Sequence, residues 1–264
     1  MIDHLLDLEA YPLDRPESPE YAALVMRCKT DLTRKGMFNL PGFFLPGVAQ
    51  SAADAVKPAM SSQSFHHARR HNVYFKDTMP GIDNDHPAMA EFLTENHALA
   101  GDQLDGNPII EIYEWQPFAA FLAACMGKDK IYTMEDKLAR VNVQASGQGQ
   151  ALNWHFDRSE FTTTILLQAP VMGGQLEYRK DLRTAEDQNY DGVAAVLAGE
   201  DPEIKQIMPE PGALNVFRGV NSAHRVIPVK GPVDRIIAIF AFFDQPGVVF
   251  SAKEQIGFYG RSIA

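Results

Sequence analysis

The spacing of apolar and polar positions changes character near residue 131. Before it, helical signals dominate. Ser18-Pro19 offers an N-cap followed by proline at the first helical position, and Gly36 offers the stop. A second helix is expected over residues 87–99. A third opens at Asn107-Pro108 and is interrupted at Pro117, and a fourth runs from Phe118 to Met126 and ends at Gly127. Short strands are expected at 37–44 and 72–75. Beyond residue 131, short β-rich runs at 139–144, 161–168, 175–178, 213–218 and 235–243 alternate with Gly, Pro and Asn. Many short strands with turns between them point to a sandwich or barrel, of which the jelly roll is one solution. Residues 183–199 break the pattern and read as an insertion with a short helix near 193–197. The expectation is a mixed α and β chain forming a single domain over 1–264. It would have mainly helical support over 1–130, a jelly-roll core over 131–250 and a C-terminal tail over 251–264.

Composition narrows the function classes. A chain of 264 residues with 45% apolar content can bury one sizeable core. A formal charge of -10 argues against nucleic acid, whose binders present a basic footprint, and against an anionic membrane surface. The strongest apolar run, 236–243, is strand-sized and too short to span a bilayer. Cys28 and Cys125 form neither a disulfide framework nor a metal-type spacing. The opening Met1-Ile2-Asp3-His4 lacks the basic and apolar regions of a secretion signal, so a cytoplasmic protein is expected. Oligomeric state is not legible.

Chemistry enters at Leu152-Asn153-Trp154-His155-Phe156-Asp157. In an extended chain, residues two apart face the same way, so His155 and Asp157 can reach one ion. Alone, the pair also fits a surface histidine beside a strand-end acid. His224, just before another β-rich run, supplies a third ligand. Two imidazoles and a carboxylate make the facial triad that suits non-haem iron(II) and leaves coordination positions open. Arg235 starts the apolar strand that follows. Turned inward it would clamp a carboxylate, and turned outward it would pair with Asp234. Upstream, Arg140, Asn142 and Gln144 share one face of a strand whose other face is Ala139, Val141 and Val143. That polar face either meets solvent or lines a cavity.

The run from Asn153 to Phe161, the segment Gly173-Gly174-Gln175-Leu176-Glu177-Tyr178, and Pro211 to Gly219 leading into His224-Arg225-Val226 resemble the iron(II)/2-oxoglutarate-dependent oxygenases. The closest likeness is to the group of free-amino-acid halogenases and their hydroxylase relatives. It is strongest over about residues 138–245. The resemblance implies a double-stranded β-helix, cupin-like, with helical N-terminal cover. It implies His155, Asp157 and His224 as iron ligands and Arg235 as the partner of the 2-oxoglutarate distal carboxylate. Arg140 and Asn142 would lie on a strand that contacts this co-substrate. Fe(II), 2-oxoglutarate and O2 are the implied cofactor and co-substrates. Halogenases of this group replace the carboxylate ligand by a small residue. This chain keeps Asp157, so the resemblance implies a hydroxylase, with desaturation left open.

The substrate is less legible. The resemblance favours a small-molecule, free amino acid, lysine-like first. The basic stretch Phe65-His66-His67-Ala68-Arg69-Arg70-His71-Asn72, with Arg70 and His71 foremost, and Arg158 beside the metal motif offer partners for a substrate carboxylate. A solvated basic loop is the competing reading of that stretch. Two other functions remain open: an oxygenase of peptidyl or other small metabolites, and a jelly-roll metal-binding protein that turns nothing over.

Overall fold

The Ser18 hydroxyl accepts the Tyr21 N–H at 3.1 Å, Pro19 opens α1 (Pro19–Lys35), and Gly36, at φ 78°, stops it. The computed structural model describes residues 2–263. After α1 come β1 (Met37–Leu40), α2 (Val48–Gln63), β2 (Phe65–His71), β3 (Phe92–Leu99), α3 (Pro108–Glu114), α4 (Gln116–Met126) and β4 (Tyr132–Thr133). The second half contributes β5 (Val141–Ser146), β6 (Leu152–His155), β7 (Thr162–Gln168), β8 (Leu176–Arg179), α5 (Tyr190–Ala198) and β9 (Lys205–Ile207). It closes with β10 (Leu214–Phe217), β11 (Ala223–Val226), β12 (Arg235–Phe240), β13 (Phe242–Phe243) and α6 (Ala252–Tyr259).

These strands build two facing antiparallel sheets. The large one has the order β1-β10-β7-β12-β5-β3-β2 and the small one β6-β11-β8-β9; β13 and β4 pair separately. This is the jelly roll, and its layers follow from strand alternation. On β5, Val141, Val143 and Ala145 turn outward into the main core, together with Ile236 and Ala238 of β12 and Ile165 of β7. Against them pack Leu24, Cys28 and Leu32 of α1, Ala52, Ala53 and Val56 of α2, and Phe118, Phe121 and Leu122 of α4. Each large side chain so buried contributes roughly 1.5–3 kcal/mol. The alternate positions of the same strands face the small sheet, and that inner face carries the polar groups. A second core, including Trp154, Phe156, Val193 and Val196, packs α5 and the 73–89 segment on the outside of the small sheet. Among the described residues, no helix is long and apolar enough to cross a membrane.

The fold departs from the sequence expectations in its first half. Residues 87–99 are a short 3-10 turn and strand β3, not a helix, because β3 is paired on both sides, by β2 and β5. Residues 72–75 form a turn, the strand ending at His71. Helix α2, unread in the sequence, has no side-chain N-cap and holds Pro58 inside it. The first 130 residues are therefore more than helical support, since β1, β2 and β3 complete the large sheet. Within the expected C-terminal tail, Ala252–Tyr259 form α6, capped by Ser251 and Glu254.

Candidate metal centre

His155 ends β6, His224 sits in β11, and the two are directly opposite in the antiparallel register. Their ring centroids are 4.1 Å apart. Asp157 follows two residues past His155, its N–H donating to the Gly219 carbonyl at 3.1 Å. Asp157 Oδ1 lies 3.4 Å from His155 Nε2 and 3.5 Å from His224 Nε2. One ligand atom from each of the three falls within 4.8 Å of the others.

The backbone fixes which ring nitrogen is offered. His155 Nδ1 lies 2.8 Å from the Asn153 carbonyl and His224 Nδ1 2.9 Å from the Ser222 carbonyl. A carbonyl only accepts, so both Nδ1 atoms carry hydrogen and both Nε2 lone pairs are free to bind a metal. Burial, then the neighbouring His224, lowers the pKa of His155. For His224, burial acts the same way, but the Asp157 charge together with the hydrogen bonds to Asp157 and the Ser222 carbonyl outweighs it and raises the pKa. Burial opposes the charge of Asp157, yet both imidazoles hold its carboxyl well below the usual range. A neutral-imidazole and carboxylate donor set with a clear centre fits iron(II).

Asp157 Oδ2 faces away from the centre and accepts from the Thr162 hydroxyl at 2.5 Å. Gly219 makes this possible, because a Cβ there would overlap Asp157 Oδ2. His155 is tied further back. Its partner Asn153 donates its backbone N–H to Thr94 Oγ1, and Thr94 lies 2.6 Å from His71 Nε2. His71 also stacks on Phe75 at 4.3 Å, and Phe75 meets the His155 ring edge-on.

Arg235 is 6% exposed and pairs in register with Ser146. Its Nε is buried with no partner, and among the described residues it forms no salt bridge. Burial alone lowers its pKa to about 10. An unpaired guanidinium is costly to bury, and a carboxylate is the kind of partner that offsets the cost. Gly174, at φ 70°, comes close enough that a Cβ would stand 3.0 Å from Arg235 Cδ. On the same inner face, Asn142 Oδ1, Asn215 Nδ2 and His67 Nδ1 are also buried without partners, as is Gln175 Oε1 beside Gly174. Gln175 and Asn215 were not singled out in the sequence, and nothing local distinguishes them there.

Three expected residues go elsewhere. Arg140 precedes β5 in a turn, its N–H bonded to the Asp136 carbonyl, so strand alternation does not carry it inward. Its guanidinium pairs with Glu114 at 2.8 Å and Asp105 at 3.5 Å, which removes it from the co-substrate set. Arg70 is on the outer face of β2, 3.6 Å from Glu91. Arg158 pairs with Glu254 of α6 at 2.9 Å and lies over Phe258. The fold does bring His71 to the His155 side of the centre.

Residues 22–248 match the family model described as "Halogenase D". No curated protein matches the sequence. Among solved structures, the chain is similar to the prolyl hydroxylase from Trichoplax adhaerens in complex with a hypoxia inducible factor oxygen degradation domain peptide fragment. That similarity has TM-score 0.56 at 15% identity, covering 85% of this chain and 91% of that one. It is similar also to AviO1 from Streptomyces viridochromogenes Tue57, with TM-score 0.56, 11% identity and coverage of 84% and 96%. A third is the non-heme alpha ketoglutarate dependent epimerase SnoN from nogalamycin biosynthesis, with TM-score 0.55, 12% identity and coverage of 84% and 83%. By family model the chain belongs to the halogenase D family, and its jelly-roll fold and His-Asp-His cluster accord with an iron(II) centre of the facial-triad type.

Proposed function

We propose that the protein hydroxylates a free amino acid, coupling the reaction to decarboxylation of 2-oxoglutarate to succinate. When bound, iron(II) with 2-oxoglutarate and O2 supplies the oxidant, one oxygen atom going to succinate and the other to the product alcohol as CO2 leaves. The chain's own part is to hold the metal with His155, Asp157 and His224 and to fix the distal carboxylate of 2-oxoglutarate with Arg235. Asn142 supplies a polar contact on the inner face. Asp157 supports hydroxylation over halogenation, because its carboxylate fills the coordination position that a halide would need.

The observation carrying the amino-acid reading is Arg69. It alternates with the outward Arg70 on β2 and lies opposite the buried Thr94 of β3. Among the described residues it has no acidic partner; its guanidinium rests over the Phe75 ring at 5.2 Å. Phe75 in turn touches His155. An exposed arginine stacked on Phe75, on the Thr94 side of β2 and with no acidic partner among the described residues, suits a substrate carboxylate. His67, two residues away on the same face, has its pKa lowered by burial and offers an unpartnered Nδ1. A neutral imidazole there can accept from a substrate ammonium.

The test is succinate release and product mass with iron(II), ascorbate and 2-oxoglutarate. It uses a panel led by lysine, ornithine and arginine beside aliphatic amino acids, each retested as its amide. Free acids should respond and amides should not. In Arg69→Met the KM for the amino acid should rise at least about tenfold while that for 2-oxoglutarate holds, matching loss of a charge-assisted hydrogen bond. Equal turnover of amides, or response to peptides alone, overturns the reading.

A further inference from the structure

The inserted segment contains a half-buried cation for which the iron and co-substrate chemistry has no use. Arg183, just before α5, lies behind the small sheet, on the face opposite the metal. Its guanidinium carbon sits 3.9 Å over the Phe156 ring and 5.9 Å from that of Tyr74. Its Nε donates to the Val220 carbonyl at 2.9 Å and its Nη1 to Gln188 Oε1 at 3.2 Å. Its backbone N–H donates to the Asn221 carbonyl at 3.2 Å. Among the described residues no carboxylate pairs with it. Arg179 and Arg225, also on the small sheet, are paired with Asp201 and Glu177.

We propose that Arg183 is a positioning residue that braces both ligand-bearing segments of the metal centre from behind. Phe156, the face it stacks on, lies between the ligands His155 and Asp157. Val220 and Asn221, whose carbonyls it holds, lie between Gly219 and Ser222. The Gly219 carbonyl receives the Asp157 N–H, and the Ser222 carbonyl receives His224 Nδ1–H. One side chain therefore joins the strand end carrying two ligands to the loop that orients the second and third. Arginine suits this position because its plane stacks on an aromatic ring while its edge donates in fixed directions; lysine offers only a mobile point charge. Groups that orient metal ligands from outside the coordination sphere typically govern affinity by about 10–100-fold. The inference stands on the metal triad and is independent of the substrate.

The experiment compares wild type with Arg183→Met and Arg183→Lys as full-length apoproteins. Co(II) serves as an oxygen-stable probe and anaerobic Fe(II) as its check. Three quantities are read: the metal dissociation constant, the Co(II) ligand-field spectrum, and the rise in thermal midpoint when metal is added. Arg183→Met should weaken metal binding by about tenfold or more, alter the Co(II) bands and shrink the metal-induced rise in midpoint. A purely structural role would lower the metal-free and metal-loaded midpoints together and leave affinity and spectrum alone; that result overturns the proposal. Should Arg183→Met fail to fold, Arg183→Lys is judged on the same readings. Weakened binding with altered bands supports the brace, and wild-type values overturn it.

Discussion

Thr162 Oγ1 donates to Asp157 Oδ2 at 2.5 Å, on the side of the carboxylate turned away from both imidazoles. The bond leaves Oδ1 alone to face His155 and His224. It therefore favours one-oxygen ligation, which preserves the open positions that 2-oxoglutarate and O2 require. Thr162→Val removes the donor at nearly constant volume. Iron(II) affinity, measured anaerobically, is expected to fall by about 10–100-fold. Unchanged affinity and an unchanged Fe(II)·2-oxoglutarate absorption band would show that the hydroxyl does not govern the ligand.

Asp157→Gly should abolish most hydroxylation and expose a coordination site to chloride. Loss of the side chain opens the space beside Gly219 as well. The measurement is a chloride-dependent change in the metal spectrum, present in the variant and absent in wild type. Halogenated product requires a supporting shell for the anion besides the vacancy itself. Identical anion responses in the two proteins would remove Asp157 from the ligand set.

Arg235→Met should act with opposite signs on two properties. The apoprotein should gain stability, because an unpaired buried cation is replaced by an apolar side chain of similar size. Binding of 2-oxoglutarate should weaken by an amount on the order of 2–5 kcal/mol, the usual cost of deleting one partner of a desolvated charge pair. Chemical denaturation and 2-oxoglutarate titration read the two separately. A destabilised apoprotein with intact 2-oxoglutarate affinity would assign Arg235 a structural role.

Acid should weaken the fold through His71. Burial lowers its pKa below the ordinary 6.5, and the Thr94 hydroxyl, facing its Nε2, is placed to donate to the neutral ring. The unfolded chain then binds more protons than the native one between the depressed native pKa and 6.5. Stability accordingly rises with pH through that window and is lost as pH falls below 6.5. In His71→Gln, the urea midpoint of the apoprotein should change less between about pH 5 and pH 7 than in wild type. His67, also depressed by burial, leaves a residual slope.

The sequence by itself determined the chemistry and the local elements that carry it. His155, Asp157 and His224 were legible because a strand's two-residue period turns His155 and Asp157 the same way, and because few residue types make a facial triad. Helix α1 and helix α4 were legible from Ser18, Pro19, Gly36 and Gly127, whose effects are local to the backbone. Tertiary structure decided the rest, because it depends on which strand lies beside which. Strand β3 reads as a helix until β2 and β5 supply its hydrogen bonds. Arg140 shares the apparent strand period of Asn142, but the turn closed by Asp136 sends it out to Glu114. Arg69 and Arg70 are adjacent and chemically identical, yet sheet pairing sets one on the Thr94 side, over Phe75, and the other on the opposite side, toward Glu91. Arg183 is an unremarkable residue of an insertion until folding sets it against Phe156 and Val220. Charge pairing and burial are properties of neighbours in space, and residues far apart in the chain become neighbours only once the two sheets have closed.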